Sequence, residues 1–238
     1  MQKYPTDFSI YQNPPSWVIP PTDMVHHDGD HISDWIKQQR FYEAHIMNIF
    51  KDYIPSNGVF FDIGANIGNH SLMFNKLFPN VKIHSFEASP YNYVYLYQNV
   101  IGYQNITPYC IGLSDKTEIV KFSHYEQDYG SSGVSAVNDS DKAQSKGKVF
   151  EMDVLLQRFD ALPFNLKPDF IKIDVENYEI PVLDGMMDLL ESTSPLIWLE
   201  DHPLETSTNL ENSPTLHLQK IGYNPIVMCE CNVLLKRN

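Results

Sequence analysis

The stretch Val59-Phe60-Phe61-Asp62-Ile63-Gly64-Ala65-Asn66-Ile67-Gly68-Asn69-His70 carries the deciding pattern of this 238-residue chain. Its first five residues are a short apolar run that stops at a glycine, which suits a buried β-strand. From Ser71 to Phe78 the period changes, and Met73, Phe74, Leu77 and Phe78 return at helical spacing. A strand therefore passes through a glycine turn into a helix. Glycine at positions 64 and 68 lets the backbone bend tightly and approach a ligand, and the N–H groups that open the helix are expected to face that ligand.

The same alternation continues on either side. Val81–Phe86 predicts a second strand, and Ser89-Pro90 supplies a cap and first-turn proline for a helix reaching Val100. Asn105–Ile111, Phe170–Val175 and Pro195–Leu199 predict three more strands, the middle one buried on both faces. Short strands separated by helices imply a doubly wound, Rossmann-like α/β sheet, mostly parallel, with right-handed crossovers. At the tail, Gly222–Met228 and Asn232–Leu235 predict an antiparallel hairpin closing one edge. Ser33–Tyr53 has the spacing of one interrupted or two short amphipathic helices, stopped by Asn57-Gly58. The first thirty residues carry Pro5, Pro14, Pro15, Pro20 and Pro21 and suit an extended arm. The expected division is an arm over 1–32 and a single domain over 33–238. The polar stretch between Lys121 and Val149 predicts a functional flap or a disordered loop.

Composition excludes several classes. Seventeen Lys plus Arg against thirty Asp plus Glu leave a net charge of −13, which repels phosphate backbones and anionic lipid surfaces. Neither nucleic acid nor membrane is an expected partner, and no apolar run is long enough to span a bilayer. The opening residues lack the basic-then-apolar order of a secretory leader, so the expected compartment is cytoplasmic. Cys110, Cys229 and Cys231 are an odd number without paired zinc spacing and predict reduced core or strand residues, the last two on one strand face.

Glu87 stands at the end of the second strand, about twenty residues beyond the first glycine, where a carboxylate can accept both hydroxyls of a ribose. A nicotinamide fingerprint wants a second glycine where Ala65 and Asn66 stand, and its pyrophosphate disfavours an acid such as Asp62 just before the turn. Asp62 suits instead a ligand bearing an ammonium and a sulfonium. That ligand is S-adenosylmethionine, with S-adenosylhomocysteine as the product.

Asp62-x-Gly64-Ala65-Asn66-x-Gly68, Phe86-Glu87-Ala88-Ser89-Pro90, Gly112-Leu113-Ser114-Asp115, Phe170 through Glu179 and Val182-Leu183-x-Gly185 occur in this order. Together they resemble the FkbM family of class I methyltransferases from about Glu43 to the C-terminus. The family usually has glycine where Asn177 stands, and Asn tolerates left-handed backbone. The resemblance implies a seven-stranded sheet with its last strand antiparallel, and methyl transfer to a hydroxyl of a sugar, nucleotide sugar or glycan. It also implies that Asp62, Gly64, Ala65, Asn66, Gly68, Asn69 and His70 line the methionine end. Glu87 would hold the ribose, Ser114 and Asp115 would lie beside the adenine, and Glu43 would be an upstream cofactor contact. Alternatives are N- or carboxyl-methylation of another small metabolite, or a non-catalytic scaffold that keeps the fold.

Methyl transfer to an alcohol needs alignment and a group that takes the proton. In a wound sheet such groups sit at the carboxyl ends of strands, and Asp174, Glu176 and Glu179 follow strand four while Glu200, Asp201 and His202 follow strand five. His202, neutral near pH 7 at its ordinary pKa, is the expected base and Glu176 the second candidate; Asp174 is expected on the cofactor. Carboxylates from two strand ends could chelate Mg²⁺, but no spacing is diagnostic, and neither a metal nor an oligomeric state is assigned. His27, Asp28, Asp30 and His31 read as a solvated segment, and Tyr91, Val94 and Tyr95 as a core-facing helix stripe.

Overall fold

The computed structural model describes residues 1–28, 30–125 and 149–238. The strands in chain order are β1 (Gln2–Tyr4), β2 (Asn57–Ile63), β3 (Asn80–Phe86), β4 (Ile106–Tyr109), β5 (Gly112–Leu113), β6 (Glu118–Tyr125), β7 (Val149–Gln157), β8 (Phe170–Ile173), β9 (Leu196–Glu200), β10 (Tyr223–Cys229) and β11 (Asn232–Arg237). The α-helices are α1 (His31–Lys37), α2 (Ala44–Phe50), α3 (Asn69–Leu77), α4 (Pro90–Val100), α5 (Glu179–Asp184), α6 (Met187–Thr193), α7 (His202–Thr206) and α8 (Pro214–Gln219).

Among the described residues the main sheet has eight strands in the order β1-β10-β11-β9-β8-β2-β3-β4. Seven of them are the expected wound sheet, and β11 runs antiparallel to both neighbours. After the edge strand β1 the chain enters the middle of the sheet at β2, moves outward to β3 and β4, and returns on the other side at β8. The order reverses between β2 and β8, so a crevice opens at their carboxyl ends.

Alternation of side chains builds a core on each face. Phe60 and Trp198 pack with Phe50 of α2, Phe74 of α3 and Leu96 of α4. Their strand neighbours Phe61 and Ile197 point the other way, to Leu183, Leu190 and Leu218 of α5, α6 and α8. Each such aromatic or branched side chain stabilises the fold by about 1.5–3 kcal/mol on burial. Ser89 accepts a hydrogen bond from Asn92 N at 3.3 Å and Pro90 opens α4, as their order predicts.

The N-terminal segment departs from the expected arm. Gln2–Tyr4 pairs in parallel with β10, so the tail hairpin is not the sheet edge. Phe8–Tyr11 and Ser16–Val18 form short 3₁₀ turns whose Tyr11 and Val18 enter the core. Prolines bend this segment at intervals short enough to press single apolar residues inward, a pattern with no fixed period. His27 is also buried, with Nε2 3.1 Å from Asn92 Oδ1, and buried Asp30 caps α1, so only Asp28 and His31 of the expected solvated group are exposed. On α4 the core face is Asn92, Leu96 and Val100, whereas Tyr91 and Val94 are 41% and 51% exposed, against the expected stripe.

A second, three-stranded sheet in the order β5-β7-β6 flanks the stretch where a flap was expected. Phe122, Val154 and Leu156 face inward, while Ile119 is exposed and Lys121 pairs with Asp153 at 2.5 Å. Residues 121–125 and 149 are thus strand, and 126–148 of the expected flap lie outside the described residues.

Candidate active site

The carboxyl ends of β2, β3, β8 and β9 surround a cavity of about 270 Å³ at the point where the strand order reverses. Its two sides differ. Toward β4, β5, β6 and β7 the wall is Ile111, Gly112, Leu113, Phe122 and Leu156; toward β8 and β9 it is Lys172, Asp174, Glu176, Glu200 and His202.

The glycine turn shapes the middle. Gly64 has φ +79°, and a Cβ there would fall 1.8 Å from the Asp174 carbonyl oxygen, so only glycine lets β2 and β8 approach at this point. Gly64 and Ala65 both donate to the Phe86 carbonyl at 3.0 Å, and Asn66 N donates to Glu87 Oε2 at 2.8 Å. The N–H groups of residues 64–66 therefore hold the end of β3. Gly64, Ala65, Asn66, Asn69 and His70 line the cavity. Gly68 does not: it caps α3 at φ +92° and lies against Leu96.

Glu87 lines the cavity with Oε2 on Asn66 N and Oε1 accepting from Ser89 N at 2.9 Å. Burial pushes its carboxyl up to about 7 against the pull of those two backbone bonds. Asp62, expected to face the ligand, lies behind the wall. It is fully buried, accepts from Ser71 Oγ at 2.5 Å, and stands 3.9 Å from Lys172 Nζ.

Lys172 is a cavity-wall residue that periodicity missed. It is 2% exposed in the middle of an apolar strand, with Nζ 2.8 Å from Asp174 Oδ2. Burial works against its charge, but Asp174 and Asp62 outweigh burial and hold the ammonium above the usual lysine range. Asp174 is also pushed up by burial, and Lys172 more than reverses this, so the carboxyl stays below its ordinary value. A lysine in an otherwise apolar four-residue strand was the available signal, because such a group is buried only when paired.

Glu43 precedes α2 in left-handed backbone (φ +58°) and reaches His70 Nε2 at 3.0 Å and Asn232 Nδ2 at 3.1 Å. Burial, then Asp174, pushes its carboxyl up to about 7. Burial, then Lys172, lowers His70 to about 3, so its ring is neutral. Asn69 clasps the Tyr42 backbone from both sides, accepting at 3.0 Å and donating at 3.1 Å, and brings Tyr42 into the wall.

Ser114 and Asp115 do not line the cavity. Ser114 is fully buried, with its hydroxyl 3.1 Å from Asp115 Oδ1 and 3.0 Å from the Tyr178 hydroxyl; Tyr178 is the wall residue. Gly112 and Leu113, just before them in β5, line the cavity instead.

His202 begins α7, half exposed, with Nε2 3.5 Å from Glu200 Oε2 and Nδ1 3.7 Å from Glu205 Oε2. Its bond to Glu200 raises it to about 9, so it is cationic at pH 7 and not the neutral base expected of an ordinary histidine. Glu176 lines the cavity at φ +56°, and burial followed by Asp174 and Glu200 pushes it up to about 8. Asn177 follows at φ +71°, so the left-handed turn that usually takes glycine is kept by asparagine. Cys231 also faces the cavity, whereas Cys229 is in the core; Glu230, at φ +55° between them, turns the chain and separates the two thiols.

Strand order, switch-point cavity and carboxylate-rich wall define the class I methyltransferase architecture. The description "Methyltransferase FkbM domain" matches residues 62–222, more than half of the chain, and the chain belongs to this family. Hexuronic acid methyltransferase AglP of Haloferax volcanii is 25% identical over 160 residues, covering 65% of this chain and 61% of the relative. Methyltransferase sdnD of Sordaria araneosa is 27% identical over 160 residues, covering 56% and 62%. The matches thus span about three fifths of each relative's length. A crystal structure of a methyltransferase FkbM from Methylobacillus flagellatus KT is 15% identical, with a TM-score of 0.49, over 76% of this chain and 43% of that one. Among the described residues no helix is long and apolar enough to cross a membrane.

Proposed function

We propose that the chain is an S-adenosylmethionine-dependent O-methyltransferase acting on a hydroxyl of a sugar, nucleotide sugar or glycan. The observation that carries this reading is the chemical asymmetry of the cavity: an apolar wall for an uncharged ring on one side of Glu87, and a carboxylate-dominated wall for a cation on the other. The family supports transfer of a methyl group, and the Haloferax relative, itself a hexuronic acid methyltransferase, supports a sugar acceptor. Residues 33–238 would form the catalytic unit, working in the cytoplasm, with His31 and Ile32 of the packed N-terminal region completing its wall.

The bound cofactor supplies an activated methyl on a sulfonium with a good leaving group. The protein then has three tasks. Ionised Glu87 accepts the ribose hydroxyls on the acceptor sites its backbone bonds leave open. Lys172 holds Asp174 ionised at the polar end, opposite charge being worth most where water is excluded. Glu176 takes the acceptor's proton: its raised basicity suits a base, and a cation bound beside it brings it into the ionised form. Calorimetric titration with S-adenosylmethionine, S-adenosylhomocysteine and NAD tests the cofactor. Binding of the sulfur nucleotides alone is expected, and preferential binding of NAD overturns the reading. A panel of nucleotide sugars, glycans, amines and carboxylates with labelled methyl donor then tests the acceptor class.

A further inference from the structure

Glu200, His202 and Cys231 come from three parts of the chain: the end of β9, the start of α7 and the turn joining β10 to β11. They meet in the cavity wall with one donor atom each, a carboxylate oxygen, an imidazole nitrogen and a sulfur, all within 4.8 Å of one another. A sulfur in the set points away from Mg²⁺ and Ca²⁺, which take oxygen, and toward a borderline-soft cation that accepts S, N and O together.

The surroundings suit a metal. His202 turns Nε2 toward Glu200, and its other nitrogen, Nδ1, meets Glu205 Oε2 at 3.7 Å. That carboxylate lies beyond hydrogen-bond distance and acts on the ring through its charge alone. The strands that carry the ligands are joined directly, since Asp201 N donates to the Cys231 carbonyl at 2.8 Å and Glu200 pairs in register with Asn232. Asp201 in turn accepts from Leu204 N at 2.7 Å, Ser213 Oγ at 2.6 Å and Thr215 N at 3.0 Å, which pins the start of α7. Glu200 is thereby held by paired backbone, and the segments carrying His202 and Cys231 are tied to it through Asp201.

We propose that Glu200, His202 and Cys231 bind one Zn²⁺-class cation, which displaces the imidazolium proton of His202 and the thiol proton of Cys231 to solvent, with the remaining coordination position open to the cavity. Three protein ligands and an open position are the pattern of a catalytic zinc. On the methyltransferase reading, which this clause alone requires, the open position takes the acceptor hydroxyl and lowers its pKa before Glu176 removes the proton.

The test reads metal binding on the full chain without cofactor or acceptor, so it stands or falls separately from methyl transfer. Metal-stripped protein is titrated with Co²⁺ and followed by absorption. The expected result is one equivalent bound, an intense near-ultraviolet thiolate-to-cobalt band, visible bands of tetrahedral strength, and displacement of all three by Zn²⁺. Cys231→Ser and Cys231→Ala should both abolish the near-ultraviolet band, and His202→Ala should weaken binding at least about tenfold. Cys110→Ser, at an exposed thiol that is not among the residues lining the cavity, should leave the spectrum unchanged. Circular dichroism confirms that each variant is folded. Sub-stoichiometric binding by the wild type, or a thiolate band that survives in both folded Cys231 variants, overturns the proposal.

Discussion

Glu87 and Lys172 show how burial sets the behaviour of single side chains. Glu87 titrates near 7 in the free protein because water is excluded from it, with Asp62 adding a smaller repulsion. Only the ionised form accepts hydroxyls with both oxygens, so S-adenosylhomocysteine should bind more weakly as the pH falls below about 7. The slope should approach tenfold per unit, and Glu87→Gln should weaken binding and flatten the profile; calorimetry between pH 6 and 8 measures both, and an equally steep profile in the variant would rule Glu87 out. Lys172→Met leaves Asp174 and Asp62 buried without their cation, which should cost about 3–5 kcal/mol. Denaturant unfolding reads the loss, and adding Asp62→Asn should restore part of it. The sequence placed Glu87 and Asp174 in the cavity wall by their position after a strand. It could not show which way Asp62 points, because a residue at a strand end faces either the crevice or the helix beneath, and Ser71 and Lys172 decide that from other elements.

Turns and short segments follow a different logic. Gly64 was legible from its motif, and the reason is steric: φ +79° and an opposing carbonyl where Cβ would be. Gly64→Ala should therefore prevent β2 and β8 from closing and yield insoluble or molten protein, seen as loss of near-ultraviolet dichroism; a soluble, native-like variant would contradict the geometry. The N-terminal segment was misread because prolines signal extended chain whether or not it is packed. Tyr11 donates its hydroxyl to the Phe41 carbonyl at 3.1 Å and is buried in the main core. Tyr11→Ala should cost about 3 kcal/mol, lowering the thermal midpoint by roughly 6–12 °C. A solvated arm would show no change. The β5-β7-β6 sheet was not legible because β6 and β7 are separated by a long polar stretch, and Phe122, Val154 and Leu156 form one inward face only once the strands lie side by side.

Charge acts across the whole protein through its buried carboxyls. Burial raises Glu43, Glu87 and Glu179 to about 7, so the folded chain keeps protons that the unfolded chain releases. Their stabilising contribution is complete at low pH and is lost as pH rises through 7. His70, lowered to about 3, works in the opposite direction, but only below its unfolded value near 6.5. Between pH 6.5 and 8 the carboxyls dominate, and the ligand-free thermal midpoint should fall over that range. Saturating S-adenosylmethionine should reduce the fall, because a bound cation favours the ionised carboxylates. A midpoint that rises toward pH 8 without ligand would show that these groups titrate normally.

What the sequence determined by itself is local and periodic: the wound α/β sheet with its antiparallel last strand, the glycine turn at 64, and the positions of Glu87, Asp174 and Glu176 after their strands. Periodicity records which face of an element is buried, and motif spacing records where a strand ends. What only the tertiary structure decided depends on residues far apart in the chain. Glu200 raises His202 above neutrality, and Lys172 draws both Asp62 and Asp174 to itself. Glu43 meets His70 and Asn232, and Cys231 comes round beside Glu200. Electrostatic energy depends on distance and on exclusion of water, and neither is set until the strands have been brought side by side.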